Sequence, residues 1–203
     1  MGASKSTHRQ LFEAATRGKG VDVLADLVKQ GARPDAFRDT SGRTAFVVCA
    51  QKKDSERVQF LVSVGADPGV VQASGYTVFL DAAWDVEMIR YLVECVPGAG
   101  VHFTKADSNG WTPLAWTTSG DQYAVCAEEL LALPEVCSAE HLSKVDSGGR
   151  TVLQWAKSYG CRAVEAVVVQ AMNVCVCVDV CVTLGTAVCR EWVWRWVLTH
   201  RQV

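Results

Sequence analysis

The chain has 203 residues, of which 49 % are hydrophobic, and it carries a formal net charge of −2 at pH 7. This length and hydrophobicity suffice for a buried core, whereas the balanced charge with scattered Lys and Arg argues against nucleic-acid binding. Nine cysteines occur, but no apolar leader follows Met1. We therefore interpret them as small buried residues of a cytoplasmic protein rather than as a disulfide framework.

The first residues, MGASKS, fit the N-myristoylation pattern M-G-x-x-x-[ST], with Gly2 as the acceptor and Ser6 at the required position. A single myristoyl chain would give only a weak and reversible membrane anchor. The other interpretation is an ordinary flexible N-terminus, which we predict for residues 1–7.

The tripeptide Gly-x-Thr occurs four times, with successive glycines 33, 35 and 39 residues apart, at Gly42, Gly75, Gly110 and Gly149. The sequence Gly-Ala-x-Pro begins at Gly31 and again at Gly65, 34 residues later. A fixed period of about 33 residues is typical of a solenoid, in which each unit buries its apolar faces against its neighbours.

Each repeat predicts a tight turn followed by two helices. In three repeats an Asp precedes the glycine by three residues, which suits a turn in which the side chain bonds the backbone and glycine supplies positive φ. The Thr that follows, such as Thr112, suits a helix N-cap, and Pro113 suits the first helical position. The first helix is short and rich in small residues, and the second is apolar and ends at Gly-Ala.

Together these residues, D-x-x-G-x-T-P-L-x-x-A with a following G-A at this period, resemble the ankyrin repeat. The resemblance implies an all-α, ankyrin-type helix-turn-helix solenoid of about five repeats within residues 8–172. We expect the units at approximately 8–40, 41–73, 74–108, 109–147 and 148–172, followed by an irregular tail at 173–203.

The chain departs from the ankyrin pattern at the histidine that normally follows Thr-Pro-Leu. This position holds Val47, Leu80, Ala115 and Gln154. The hydrogen bonds with which that histidine ties neighbouring turns are therefore expected to be missing. The last two intervals also carry insertions, notably around residues 133–135, so we expect a divergent and less regular array.

The resemblance also implies a concave partner-binding surface, formed by residues beside each turn glycine and on each first helix. All four tryptophans of the repeat region fall on these positions, and tryptophan, tyrosine and arginine are frequent hot-spot residues of protein interfaces. We predict a monomeric module that binds another protein, of unknown identity, through Arg43, Val48, Gln51, Tyr76, Asp81, Trp84, Trp111, Trp116, Ser119, Arg150, Trp155 and Ser158. The alternative is that the rings fill gaps between successive first helices.

The C-terminal segment contains VCVCVDVCV and differs in composition from the repeats. We expect residues 173–203 to be disordered or poorly packed, while the period-two alternation at 174–182 favours a strand as the second possibility. The apolar run 166–189 is long enough to span a bilayer, although Asp179 within it argues against a span. The alternative function is a membrane-attached protein, held by this run or by acylated Gly2, with the repeats as its cytoplasmic part.

Patterns for catalysis or metal binding are missing from the sequence. The four histidines are isolated, and the chain contains neither G-x-S-x-G nor H-E-x-x-H nor a phosphate-loop motif. The tail cysteines Cys175, Cys177, Cys181 and Cys189 lack the paired C-x2-C spacing of structural zinc sites. We expect no enzymatic activity, no cofactor and no bound metal.

Overall fold

The computed structural model describes residues 5–184, with side chains described for residues 6–174. These residues are all-helical and include no strand, which confirms the predicted all-α class. The α-helices are α1 (Lys5–Thr16), α2 (Val21–Lys29), α3 (Ala45–Gln51), α4 (Ser55–Ser63), α5 (Val78–Asp81), α6 (Val86–Cys95), α7 (Ala99–Phe103), α8 (Pro113–Trp116), α9 (Ala124–Leu131), α10 (Ala139–Leu142), α11 (Val152–Tyr159) and α12 (Arg162–Leu184). Short 3-10 helices cover Ala82–Trp84, Thr117–Ser119 and Asp121–Tyr123.

The described residues divide into two compact units, the first within Met1–Ala82 and Glu87–His102 and the second within Ala83–Val86 and Phe103–Val203. In the first unit, α1 packs against α2 and α3, and α4 packs against the same two helices. Its core contains the fully buried side chains of Leu11, Phe46 and Leu61. Each such side chain contributes about 1.5–3 kcal/mol of transfer free energy.

The second unit is built around α12, which packs against α9, α10 and α11. The short helix α8 contacts α9 and α11. Leu114, Leu130 and Val164 are buried at these contacts, and Ala156 is 0 % exposed on α11. Small residues such as Ala156 allow helices to approach one another closely, as the composition of the first helices predicts.

Four turns of one geometry precede α3, α5, α8 and α11. The glycine of each Gly-x-Thr has a φ between +73° and +83°, and its N–H donates to the carbonyl three residues earlier. A second backbone bond closes each turn. In the turn at Gly110, for example, the N–H of Asp107 donates to the carbonyl of Trp111, and the other three turns contain the equivalent bond. Thr77, Thr112 and Thr151 then accept a first-turn N–H as N-caps, whereas Thr44 does not.

Turns are also joined in pairs within each unit. In the first unit, the N–H of Ala73 donates to the carbonyl of Ser41 at 2.9 Å. In the second unit, the N–H of Ser147 donates to the carbonyl of Asn109 at 2.9 Å. Backbone bonds thus connect the first turn to the second and the third turn to the fourth, even though the histidine of the ankyrin pattern is absent.

The helix boundaries differ from the sequence predictions at both ends. Helix α1 begins at Lys5, inside the segment 1–7 predicted to be flexible. Helix α12 continues to Leu184, past the predicted tail boundary at residue 172 and through 174–182, where alternation suggested a strand. No Gly or Pro interrupts the chain between Cys161 and Leu184, so a helix propagates once it has formed. The rest of the predicted tail lies outside the described residues.

The longer spacings between the later turns contain two additional short helices. Helix α7 precedes the turn at Gly110, and α10 follows the predicted insertion at 133–135. In the part of the chain that the structure describes, no helix combines the length and the apolarity needed to cross a membrane.

Candidate functional site

Five aromatic side chains of the second unit form a continuous row, called here the aromatic row. Their order is Trp84, Trp116, Trp111, Trp155 and Tyr159, and neighbouring ring centroids are 5.4, 4.9, 4.9 and 5.2 Å apart. The last pair is stacked and the others are tilted or edge-to-face, arrangements that the ring quadrupoles favour. The structure thus brings together all four tryptophans of the predicted surface.

Short local elements place the rings of the row. Trp84 ends a 3-10 helix, Trp116 ends α8, and Trp111 follows the turn glycine before that helix. Trp155 and Tyr159 are four residues apart on α11, so they lie on the same helix face. Tyr159 is absent from the predicted surface, although its spacing from Trp155 was a signal that could have identified it.

Polar contacts fix two of the indoles. Trp155 Nε1 donates to Oδ2 of Asp146 at 2.7 Å, and Trp84 Nε1 donates to Oγ of Ser119 at 3.3 Å. The Arg150 guanidinium lies 4.6 Å from the centroid of the Trp155 ring, in a cation–π contact. Trp155 is therefore held by a carboxylate at its edge and by a cation at its face.

Asp146 connects the last turn to the aromatic row. Its Oδ1 accepts the N–H groups of Gly148 and Arg150 at 2.9 and 3.0 Å, while Oδ2 accepts the Trp155 indole. The hydrogen bonds from the Arg150 backbone and the Trp155 indole lower the pKa of Asp146, since they stabilise its charged form. The same carboxylate closes the turn and orients the ring.

An open groove of about 430 Å³ lies beside the aromatic row in the second unit. Its lining includes Trp111, Trp116, Ser119, Asp121, Tyr159 and Cys161. Asp121 Oδ1 accepts the N–H of Ala163 in the first turn of α12 at 2.9 Å, which holds the carboxylate in place. Asp121 was not among the predicted site residues, because an isolated Asp after a glycine does not indicate a binding site.

The aromatic row is both packed and accessible. Trp84 is 38 % exposed and Tyr159 is 55 % exposed, and the other three rings are half-buried. The contacts between rings agree with the alternative in which tryptophans fill the space between first helices. The exposed fractions leave aromatic area that a partner can cover.

The remaining predicted contact residues lie on both units. Those of the first unit are Arg43, Val48, Gln51, Tyr76 and Asp81. There, Arg43 pairs with Asp39 at 2.8 Å and donates to Oε1 of Gln51 at 3.3 Å, while Asp81 accepts a hydrogen bond from Gln72 at 2.9 Å. In the second unit, Ser119, Arg150 and Ser158 are exposed, as a contact role requires.

Val48 does not fit the predicted surface. It is 8 % exposed, because residues 45–50 of α3 are all buried. Its side chain contributes to the core of the first unit rather than to a surface for a partner. The position within the repeat was inferred from the ankyrin pattern, which does not report how tightly this particular helix is packed.

In the described part of the chain, no three His, Cys, Asp or Glu side chains approach one another in a way that would hold a metal ion. Gly2 and the four tail cysteines considered for zinc lie outside the described side chains.

No protein-family model matches the chain, and no curated protein shows significant sequence similarity to it.

Proposed function

We propose that the chain is an ankyrin-type repeat protein of about five units that binds another protein through the aromatic row. Four turns of one geometry, each followed by a short helix, support the ankyrin assignment, and three of these helices contain a small buried residue, Ala50, Ala115 or Ala156. Helices α1 and α2 are the two helices of the first proposed repeat, and α11 and α12 are those of the fifth. The proposed protein acts as a monomeric binding module rather than as an enzyme.

The continuity of the aromatic row is the observation that carries the proposed binding function. Five adjoining rings, partly exposed beside an open groove, offer a contiguous apolar surface of the kind that marks interaction sites. Each aromatic side chain can bury about 150–250 Å². The contacts that Asp146 and Ser119 make to the indoles hold the rings in place before binding, which lowers the entropy cost of association.

A cytoplasmic location is part of the proposal. Cys49, Cys95, Cys126 and Cys161 are buried free thiols, and Cys137 is a partly buried one. Burial raises the pKa of Cys49 to about 11, so this thiol is protonated and unreactive at neutral pH. Packed free thiols suit a reducing compartment.

Site-specific photo-crosslinking in the full-length chain tests the proposed binding surface. A photoreactive phenylalanine analogue replaces Tyr159, which is 55 % exposed in the aromatic row, and in a matched chain it replaces Val145, which is 52 % exposed in the same unit but outside the groove lining. We expect a specific protein adduct in cells from position 159 and none from position 145. Identical adducts from both positions would contradict the proposal.

Once the partner is purified, its dissociation constant with wild-type and variant chains measures how much the aromatic row contributes to the binding free energy. Tyr159→Ala and Trp116→Ala should each weaken binding about thirtyfold or more, since hot-spot aromatics account for about 2 kcal/mol or more each. Val145→Ala should leave the affinity unchanged. Circular dichroism must show that each variant keeps the helicity of the wild type, because Trp116 is also a packing residue.

A further inference from the structure

We infer that the groove beside the aromatic row binds a basic side chain, arginine or lysine, that the partner protein presents. This inference rests on the proposed function and specifies the chemistry of the partner.

The composition of the groove suits a cation. Trp111, Trp116 and Tyr159 supply aromatic rings, whose faces attract ammonium and guanidinium groups. Asp121 supplies a carboxylate, and the hydrogen bond from Ala163 uses only part of its acceptor capacity. Rings together with one fixed carboxylate can bind a cation through two different interactions at once.

The size of the groove limits what can enter it. Its volume of about 430 Å³ lies near the lower end of the range of about 300–1,000 Å³ that is usual for small-ligand pockets. An α-helix is about 10–12 Å in diameter with its side chains. The groove therefore has room for a long side chain such as arginine or lysine but not for a whole helix, and the rest of a partner would cover the exposed rings of the row.

The second unit also attracts positive charge as a whole. Residues 83–86 and 103–203 contain eleven Asp or Glu and eight Lys or Arg, whereas residues 1–82 and 87–102 contain eleven Asp or Glu and twelve Lys or Arg. A surface with an excess of carboxylates raises the local concentration of cationic partners and repels acidic ones. The lysine nearest to Tyr159 in sequence, Lys157, lies 3.9 Å from the carboxylate of Glu165.

The aromatic row already contains one interaction of the proposed kind. Arg150 lies over the ring of Trp155 at 4.6 Å, while Asp146 accepts the indole N–H of the same residue at 2.7 Å. One ring of the row, that of Trp155, thus contacts a guanidinium at its face and a carboxylate at its edge. The groove places two more tryptophans beside a second carboxylate, that of Asp121, and the partner would supply the cation.

Titration with blocked tripeptides tests the inference. The peptides are acetyl-Gly-X-Gly-amide with X as Arg, Lys, norleucine or Glu, added to full-length protein labelled with 15N in its tryptophans. Indole N–H signals are assigned with Trp111→Phe and Trp116→Phe. We expect saturable shifts of these two signals with the Arg and Lys peptides, at a Kd of about 1 mM, and none with norleucine or Glu.

The role of the carboxylate is tested with a charge-matched pair of variants. Asp121→Asn can still accept the Ala163 N–H and should weaken binding of the Arg peptide about fivefold, whereas Glu135→Gln, an exposed carboxylate outside the groove lining, should not. Equal losses in both variants would show an effect of net charge alone and would overturn the assigned site.

Two further outcomes would also overturn the inference. Equal binding of the norleucine and Arg peptides would show an apolar groove, and the absence of any shift would show that no basic side chain enters it. In both cases the proposed protein contact stands if position 159 still crosslinks a partner. Loss of that specific crosslink would remove the proposed function itself.

Discussion

The Trp155 indole donates a 2.7 Å hydrogen bond to Oδ2 of Asp146, while Oδ1 of the same carboxylate accepts two N–H groups of the turn at Gly149. The Asp146 side chain thus bonds to the turn and to a ring of the aromatic row at the same time. The turn and the proposed binding surface are therefore coupled through a single carboxylate.

Replacement of Asp146 should disturb both features. Asp146→Ala removes all three hydrogen bonds, so we expect a lower free energy of unfolding and a weaker near-ultraviolet circular dichroism signal from the tryptophans. Asp146→Asn keeps one acceptor oxygen, so its unfolding free energy and its near-ultraviolet signal should decrease less than those of Asp146→Ala. Urea unfolding of both variants gives the ranking. Glu135→Ala, at an exposed position of the same unit, is the control, and a loss as large as that of Asp146→Ala would contradict the prediction.

Gly110 should tolerate a side chain less well than Gly149. Both residues have positive φ, of +83° and +74°, so alanine is strained at either position. A Cβ on Gly110 would also come within 2.8 Å of Asp146 Cα, whereas one on Gly149 would meet nothing within 4 Å. We expect Gly149→Ala to cost about 1–2 kcal/mol and Gly110→Ala about 2–4 kcal/mol of unfolding free energy. Equal costs in denaturant melts would rule out the close approach of the two turns.

Thr44 and Thr112 occupy equivalent turn positions and should respond oppositely to valine. The Thr112 hydroxyl accepts the N–H of Ala115 at 3.3 Å, so Thr112→Val should destabilise the protein by about 1 kcal/mol. Among the described residues, the fully buried Thr44 hydroxyl has no hydrogen-bond partner. Thr44→Val should therefore be neutral or stabilising by up to about 1 kcal/mol. Thermal melts of the two variants measure these changes in stability. A destabilised Thr44→Val protein would show that the Thr44 hydroxyl does have a hydrogen-bond partner.

His141 should make the fold sensitive to mild acid. Burial, and then the charge of Lys144, lower the pKa of His141 from 6.5 to about 4. Between these values the unfolded chain binds a proton that the folded chain does not, so stability is highest above pH 6.5 and falls as the pH approaches 4. The expected loss is about 1–3 kcal/mol.

Urea unfolding at pH 7.5 and pH 4.5 measures this loss. His141→Leu removes the titrating group, so its stability should change less between the two pH values, whatever its stability at pH 7.5. If the wild type and the variant lose the same amount, the acid sensitivity arises elsewhere and the assignment to His141 is wrong.

Much of the fold was predictable because it depends on local chemistry. Glycine at positive φ and threonine at an N-cap act within a few residues of the chain, so the spacing of Gly42, Gly75, Gly110 and Gly149 located four turns of one geometry. The four tryptophans of the aromatic row were predicted to share one surface, because they fall at corresponding positions of the Gly-x-Thr period. The ankyrin assignment itself remains a proposal that these local features support.

Two sequence expectations differ from the structure, one for a reason of packing and one for a local reason. Val48 has the sequence position of a surface residue, yet the whole segment 45–50 is buried. The alternation in residues 174–182 suggested a strand, yet these residues continue α12, because no Gly or Pro interrupts that helix. Periodicity describes which faces a segment could bury, and it does not describe which neighbours are present to cover them.

The sequence by itself determined the turns, their caps and the types of side chain beside them, because each depends on the conformational preferences of a few adjacent residues. Only the tertiary structure decided that five rings adjoin, that Asp146 holds Trp155, and that Asp121 lines the groove. These relationships join residues from different turns and helices. They exist because packing of the helices brings those elements within hydrogen-bond and ring-contact distance.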